Sequence, residues 1–242
     1  MKTIPTLAAL GLLGALSVSH AGEPAAGMTD LLKSRLAGAP VSKPVETPAK
    51  GIYQTSFGNK IAYLTGDGRY VIIGDMIDLQ NQQNLTELAR RDVSKAIIDK
   101  VGLDKLAVFP STSGETKKVL NVFTDTSCPY CKKLHKEVPD LQKAGIEVRY
   151  FPFPRGGARG PGYADMKKVW CADDKAKAMN IAKDIEPGDL PSGDCKEASF
   201  VDRGYQIGNQ LGVSGTPALF VENGKKIEGY VPSKQLIPML LD

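Results

Sequence analysis

The spacing of apolar positions changes twice along the first hundred residues. Residues 22–50 are rich in Ala, Pro and Gly, with one amphipathic piece, Met28 to Leu36, long enough for two helical turns. From Gly51 to about Leu79 the pattern is extended: Ile61 and Tyr63, then Tyr70 to Ile73, flank Gly66-Asp67-Gly68. That arrangement predicts a hairpin, preceded by another short strand around Ile52. Over 85–100 the period becomes helical, with Leu85, Leu88, Ala89, Val93, Ala96 and Ile97 recurring at helix spacing and Asn84 placed to cap.

A second alternation begins after the Ser-Thr-Ser-Gly segment at 111–114. Val119 to Phe123 reads as a short apolar strand, and 128–144 as an amphipathic helix with Leu134, Val138 and Leu141 on one side and lysines on the other. Pro139 is expected to kink that helix, because an interior proline removes a hydrogen bond and crowds the preceding turn. Ile146 to Phe151 is the next strand, and 163–212 is mostly helical, interrupted at Pro187-Gly188 and Pro191. Ala218 to Val221, the Asn223-Gly224 turn and Lys226 to Tyr230 predict a second hairpin, followed by a helix over about 233–241. Strand, helix, strand, helical stretch, hairpin and final helix make an α/β arrangement.

The amino terminus has a different character. Lys2, an apolar run over 7–16 and small residues at Ser19 and Ala21 have the form of a secretory signal peptide, cleaved after Ala21. The run is too short to span a bilayer, which takes about 20 residues. Removing Lys2 lowers the formal charge from +4 to +3, and the remaining Lys and Arg are spread along the chain, so nucleic acid is not an expected partner. Four cysteines follow, Cys128, Cys131, Cys171 and Cys195. In an exported chain they are expected to be oxidised or redox-active.

The chemistry is concentrated in Phe123-Thr-Asp-Thr-Ser-Cys128-Pro-Tyr-Cys131, where a strand runs into a helix. At a helix start the unpaired backbone N–H groups and the positive dipole end favour thiolate over thiol, and the thiolate is the attacking species. Cys128 is therefore the candidate nucleophile. Cys131, one turn on, is placed to resolve a mixed disulfide. Two other readings stay open on the residues alone: half a zinc site with His135, and a merely structural Cys128–Cys131 disulfide. Haem attachment is excluded because Lys132, not His, follows the second cysteine. His135 is expected on the helix surface rather than as a base. Gly215-Thr216-Pro217, just before a strand, looks like the cis-proline loop of a thioredoxin fold, with Thr216 backbone facing the sulfur and binding an extended substrate.

Taken with Val148-Arg-Tyr-Phe-Pro-Phe-Pro-Arg155, Trp170-Cys171-Ala-Asp-Asp-Lys175, Cys195 and Leu211-Gly-Val-Ser-Gly-Thr-Pro217, these segments resemble the DsbC-type periplasmic thiol:disulfide isomerases over nearly the whole mature chain. The resemblance implies an α+β dimerisation domain (22–84), a linker helix (85–105) and a thioredoxin-like catalytic domain with a helical insertion (106–242). It implies catalysis by Cys128 and Cys131, substrate contact through Pro129, Tyr130, Thr216 and Pro217, and a structural Cys171–Cys195 disulfide. It further implies no metal or cofactor, a homodimer, misfolded disulfide-containing exported proteins as substrates, and a DsbD-like membrane reductant. One departure is Pro129-Tyr130, where DsbC proteins often carry Gly-Tyr; Pro-Tyr occurs in the sister family DsbG. An oxidant and a non-catalytic chaperone are the alternative activities.

Overall fold

The structure, a computed structural model, describes residues 28–35 and 41–242. The expected signal peptide, residues 1–21, lies outside the described residues. No described helix is long and apolar enough to cross a membrane.

The first helix, α1, covers Met28–Arg35. Strands β1 (Val45–Glu46), β2 (Ile52–Phe57), β3 (Lys60–Thr65) and β4 (Val71–Ile72) then form an antiparallel sheet in chain order. The β3–β4 hairpin pairs Tyr63 with Ile72 across the Gly66-Asp67-Gly68 turn, as the pattern predicts. A small hairpin of β5 (Ile77–Asp78) and β6 (Gln83–Asn84) leads into α2 (Leu85–Ile98). Asn84 Oδ1 accepts from the Glu87 N–H at 2.8 Å, supplying the cap that the sequence requires.

Helix α2 ends at Ile98, and a separate 3₁₀ turn covers Leu103–Lys105, so the linker is shorter than one helix over 85–105. Its buried stripe is Thr86, Ala89, Ser94 and Ile98, while Leu88 is exposed. Ile61 and Tyr63 of β3 are buried within this chain, in one cluster with Ala89 of α2. Val71 and Ile73 remain exposed.

The larger sheet contains β7 (Ala107–Phe109), β8 (Lys118–Thr124), β9 (Ile146–Pro152), β10 (Ala218–Val221) and β11 (Lys226–Glu228), in the order β11-β10-β8-β9-β7. Only β8 and β9 run parallel. Side chains alternate along β8. Leu120 and Val122 pack with Leu134, Leu141, Trp170 and Leu236 on one face. Phe123 packs with Phe151, Ile207 and Phe220 on the other.

Helices cover both faces. The expected kinked helix is two helices, α3 (Pro129–Lys136) and α4 (Val138–Lys143), separated at Glu137, with Pro139 in the first turn of α4 where its missing N–H costs nothing. Helices α5 (Tyr163–Cys171), α6 (Lys175–Ala182) and α7 (Ser199–Gln210) make the insertion, and α8 (Ser233–Leu241) closes the fold. Gly204 lets α7 lie on β9: a Cβ there would meet Pro152 O at 2.6 Å.

Candidate active site

Register builds the site. Ala218 pairs with Phe123, so continuing the β8–β10 ladder outward brings Thr216 to the loop that follows Thr124. On the other side, Thr124 pairs with Pro152, which brings the start of the 153–160 loop to the same sheet end. Three separate segments therefore meet at the first turn of α3.

Cys128 is the cap residue of α3, with extended backbone, and Pro129 occupies the first turn. Cys128 Sγ lies 3.2 Å from Thr216 O, and the Thr216–Pro217 bond is cis. Both Cys128 and Cys131 are buried and unbridged, while the Tyr130 ring between them is 59% exposed. Tyr130 stacks on Tyr230 with centroids 6.3 Å apart, and Lys133 Nζ sits 4.7 Å from the Tyr230 ring.

The two sulfurs are electrically unequal. Donation from the Cys131 thiol, against the opposing effect of burial, lowers the Cys128 thiol to about 5, helped by Thr216, the Cys131 backbone N–H and the Arg155 charge. Thr216 Oγ1 is buried, and a hydrogen bond from its hydroxyl favours the Cys128 anion. Burial, and the hydrogen bond that Cys131 gives to Cys128, push Cys131 far above the ordinary thiol range. At neutral pH one sulfur is an anion and its neighbour a thiol. That division of labour is what exchange requires.

Cys171 and Cys195 form a disulfide with Cα atoms 5.7 Å apart, joining the end of α5 to the 3₁₀ turn ahead of α7. His135 is not on the surface. It is buried under α6, with Nδ1 paired to Tyr150 OH at 2.9 Å and Nε2 to Asn180 Oδ1 at 2.8 Å. Burial, reinforced by the Lys183 charge, lowers its pKa to about 3, so it stays neutral. With both ring nitrogens engaged, His135 has no lone pair to lend to a metal at the cysteines.

A profile for a thioredoxin-like domain matches residues 109–242, and one for the amino-terminal domain of disulfide bond isomerase proteins matches residues 18–87. A thiol:disulfide interchange protein DsbC of Pasteurella multocida is 35% identical over 245 residues, covering 99% of both chains. The DsbC of Escherichia coli K12 is 34% identical over 191 residues, 78% of this chain and 76% of its own. The chain belongs to the DsbC family. A disulfide interchange protein from Neisseria gonorrhoeae, known by crystal structure, is 27% identical and covers 59% of this chain and 99% of its own, with a TM-score of 0.49.

As a DsbC-family member the protein is a thiol:disulfide isomerase with a thioredoxin-like domain. Several residues at the candidate site escape sequence reading. Asp125 is wholly buried, and its Oδ2 accepts from both N and Nε of Arg155 while Oδ1 accepts from N and Oγ of Ser127. Burial opposes ionisation, but these four donors hold the carboxyl below its usual range. Lys183, just past α6, is buried behind the cysteines. The Asp-x-Ser-Cys string ahead of the motif was a usable signal for the Asp125 turn; nothing local marks Lys183.

Proposed function

We propose that Cys128 and Cys131 rearrange wrong disulfides in exported proteins. Cys128 thiolate attacks a substrate disulfide and becomes one half of a mixed disulfide. The freed substrate thiolate attacks another disulfide of the substrate, forming a new S–S bond and freeing a different sulfur; that sulfur then attacks the substrate half of the mixed disulfide, which completes the rearrangement and releases Cys128 as the thiolate. If that second attack stalls, Cys131 breaks the mixed disulfide, releases a reduced substrate, and leaves Cys128–Cys131 oxidised. The observation that carries this reading is geometric: Cys128 caps the start of α3 with its sulfur 3.2 Å from Thr216 O at the cis-proline, and unbridged Cys131 is buried one turn on. Thr216, at the cis-proline, offers backbone to an extended substrate strand, and exposed Tyr130 offers an apolar ring beside the sulfur. Cys171 and Cys195 serve as a structural bridge.

The division into 22–84, 85–105 and 106–242 goes with a homodimer. Tyr70, Val71, Ile72, Ile73, Ile77 and Leu79 are exposed together around the edge strand β4. An open apolar edge of this kind calls for cover. Two copies joined there would hold two catalytic domains around a shared cleft. The signal-peptide pattern supports export and cleavage after Ala21, hence a periplasmic protein kept reduced by a DsbD-like membrane partner.

A thiol oxidant is the second reading. A stabilised Cys128 thiolate makes the reduced form favourable, and therefore the disulfide oxidising. Alkylation trapping in intact cells separates the two, since an isomerase is found reduced and an oxidant disulfide-bonded. A passive chaperone would keep its activity without either cysteine. The direct test is reactivation of scrambled ribonuclease: Cys128→Ser should abolish it, and full activity in that variant overturns the proposal.

A further inference from the structure

Lys183 is among the largest wholly buried side chains of the protein. A lysine in that position loses the hydration of its charge and needs compensation. Its Nζ donates to Thr124 Oγ1 at 3.0 Å and to Asp125 O at 3.3 Å, and lies 5.8 Å from the Tyr150 ring centroid. Both acceptors and the ring are neutral. The hydrogen bonds satisfy the donors without balancing the charge.

The charged groups around it are few. From the loop after β8, the Asp125 carboxylate is committed to Arg155. From α3, Lys132 is paired with exposed Asp184, and His135 is neutral. From β9, burial keeps the Tyr150 hydroxyl protonated. Three groups favour the charged amine: the sulfurs of Cys131 and Cys128 most, and after them the Asp125 carboxylate that Arg155 already holds. Cys131 sulfur lies against the backbone N–H of Asp125, while the C=O of that same residue holds Lys183. Amine and resolving thiol thus flank one backbone unit.

We infer that Lys183 is a positioning residue for the resolving step: its buried cation sustains the thiolate on Cys128 first and then on Cys131. The inference rests on the assignment of Cys128 as nucleophile and Cys131 as resolver. When Cys128 attacks, its electron pair forms the new S–S bond and the departing sulfur carries off the negative charge. The buried ammonium then faces an uncharged mixed disulfide and the Cys131 thiol. Loss of one proton to solvent leaves Cys131 and Lys183 sharing the other, and the thiolate–ammonium arrangement is the reactive one. Its attack forms the Cys128–Cys131 bond and breaks the bond to the substrate, whose sulfur leaves with the electron pair and takes up a proton.

Burial lowers Lys183 to about 8, against the pull of both sulfurs. An amine near that value can gain or lose its proton under ordinary conditions, whereas Cys131 alone in apolar surroundings resists ionisation. An aliphatic side chain of similar volume at 183 would keep the packing and remove the cation. Because Cys131 attack ends the mixed disulfide, Lys183 would also set how long a substrate stays attached to rearrange.

The probe is Ellman's reagent, 5,5′-dithiobis(2-nitrobenzoate), added to the full reduced protein in stopped flow. Attack by Cys128 releases one coloured thionitrobenzoate, and attack by Cys131 releases the second. Lys183→Met should slow the second release at least ten-fold at pH 7, roughly one pK unit of lost assistance, and its rate should keep climbing with pH. In the unaltered protein the second release should level off near pH 8. That profile needs no variant to fold; a climb with no plateau overturns the inference, as does a Lys183→Met profile matching the parent. Cys131→Ser should release one equivalent only. If Cys128→Ser instead keeps the rapid first release, the assignment of the nucleophile fails and this inference falls with it.

Discussion

The Asp125 carboxylate and Arg155 meet through two hydrogen bonds to a single oxygen, each 2.9 Å, with the acid wholly buried and the guanidinium side chain 42% exposed. The parallel pairing of Thr124 with Pro152 sets this contact, because it brings loops 30 residues apart to one end of the sheet. Arg155 also donates to Ser127 Oγ at 3.2 Å, so the pair braces the turn that leads into Cys128.

Asp125→Asn keeps the shape and removes the charge. The cost is expected to be about 1–3 kcal/mol at pH 7, below the figure for a fully buried pair because water reaches Arg155. The sign of the pH effect follows from the depressed carboxyl. Its stabilisation is complete above the unfolded value of about 3.9 and is lost as pH falls through the lower folded value. Urea unfolding should show a gap between parent and variant at pH 7 that closes in strong acid.

His135 gives a second acid-sensitive element. It is neutral in the fold down to about 3, while in the unfolded chain it protonates from about 6.5. Stability from this group is therefore full above pH 6.5 and declines as pH falls toward 3. The loss is about 2 kcal/mol by pH 5. His135→Gln, which keeps a donor and an acceptor but cannot titrate, should flatten urea midpoints between pH 7 and pH 5; a flat parent profile contradicts the prediction.

Much of this was readable from the chain, and what was not has a physical reason. The strand at Val119–Phe123, the Asn84 cap, the β10–β11 turn at Asn223-Gly224 and the last helix each carry a local pattern, and each is present. Strand β7 was missed because Ala107-Val108-Phe109 is too short to show a period; pairing with β9 makes it a strand. His135 sits among Lys132, Lys133 and Lys136, so its neighbourhood reads as solvent, yet α6 folds over it and Asn180 takes up its ring nitrogen. Lys183 is hidden from sequence for the same reason. Cys128 and Thr216, 88 residues apart, could be related in advance only because a Cys-x-x-Cys helix start and a Gly-Thr-Pro strand start form a recognisable pair.

Gly204→Ala sets helix propensity against packing. Alanine gains about 1 kcal/mol of propensity in a helix interior. Here its Cβ would stand 2.5 Å from Pro152 Cγ and 2.6 Å from Pro152 O, and a backbone oxygen within the sheet cannot step aside cheaply. Overpacking costs about 1–3 kcal/mol, so the variant should melt at a lower temperature than the parent. A rise in melting temperature would show that α7 can shift off β9.

The proposed dimer makes a prediction at Ile73, which is 75% exposed beside Val71 and Ile72. A lysine there places a charge in the apolar edge without disturbing a packed core. Sedimentation velocity should show Ile73→Lys as a monomer at concentrations where the parent is a dimer. Equal sedimentation of the two would move the interface elsewhere.

The most direct test is the ionisation of Cys128 itself. The rate of iodoacetamide alkylation of the reduced protein, followed against pH with the labelled cysteine identified by mass spectrometry, should rise with a midpoint near 5. Cys128 should carry the label and Cys131 should stay unmodified. A midpoint at about 8.5, the value of an ordinary thiol, or preferential labelling of Cys131, would contradict a thiolate held at the start of α3.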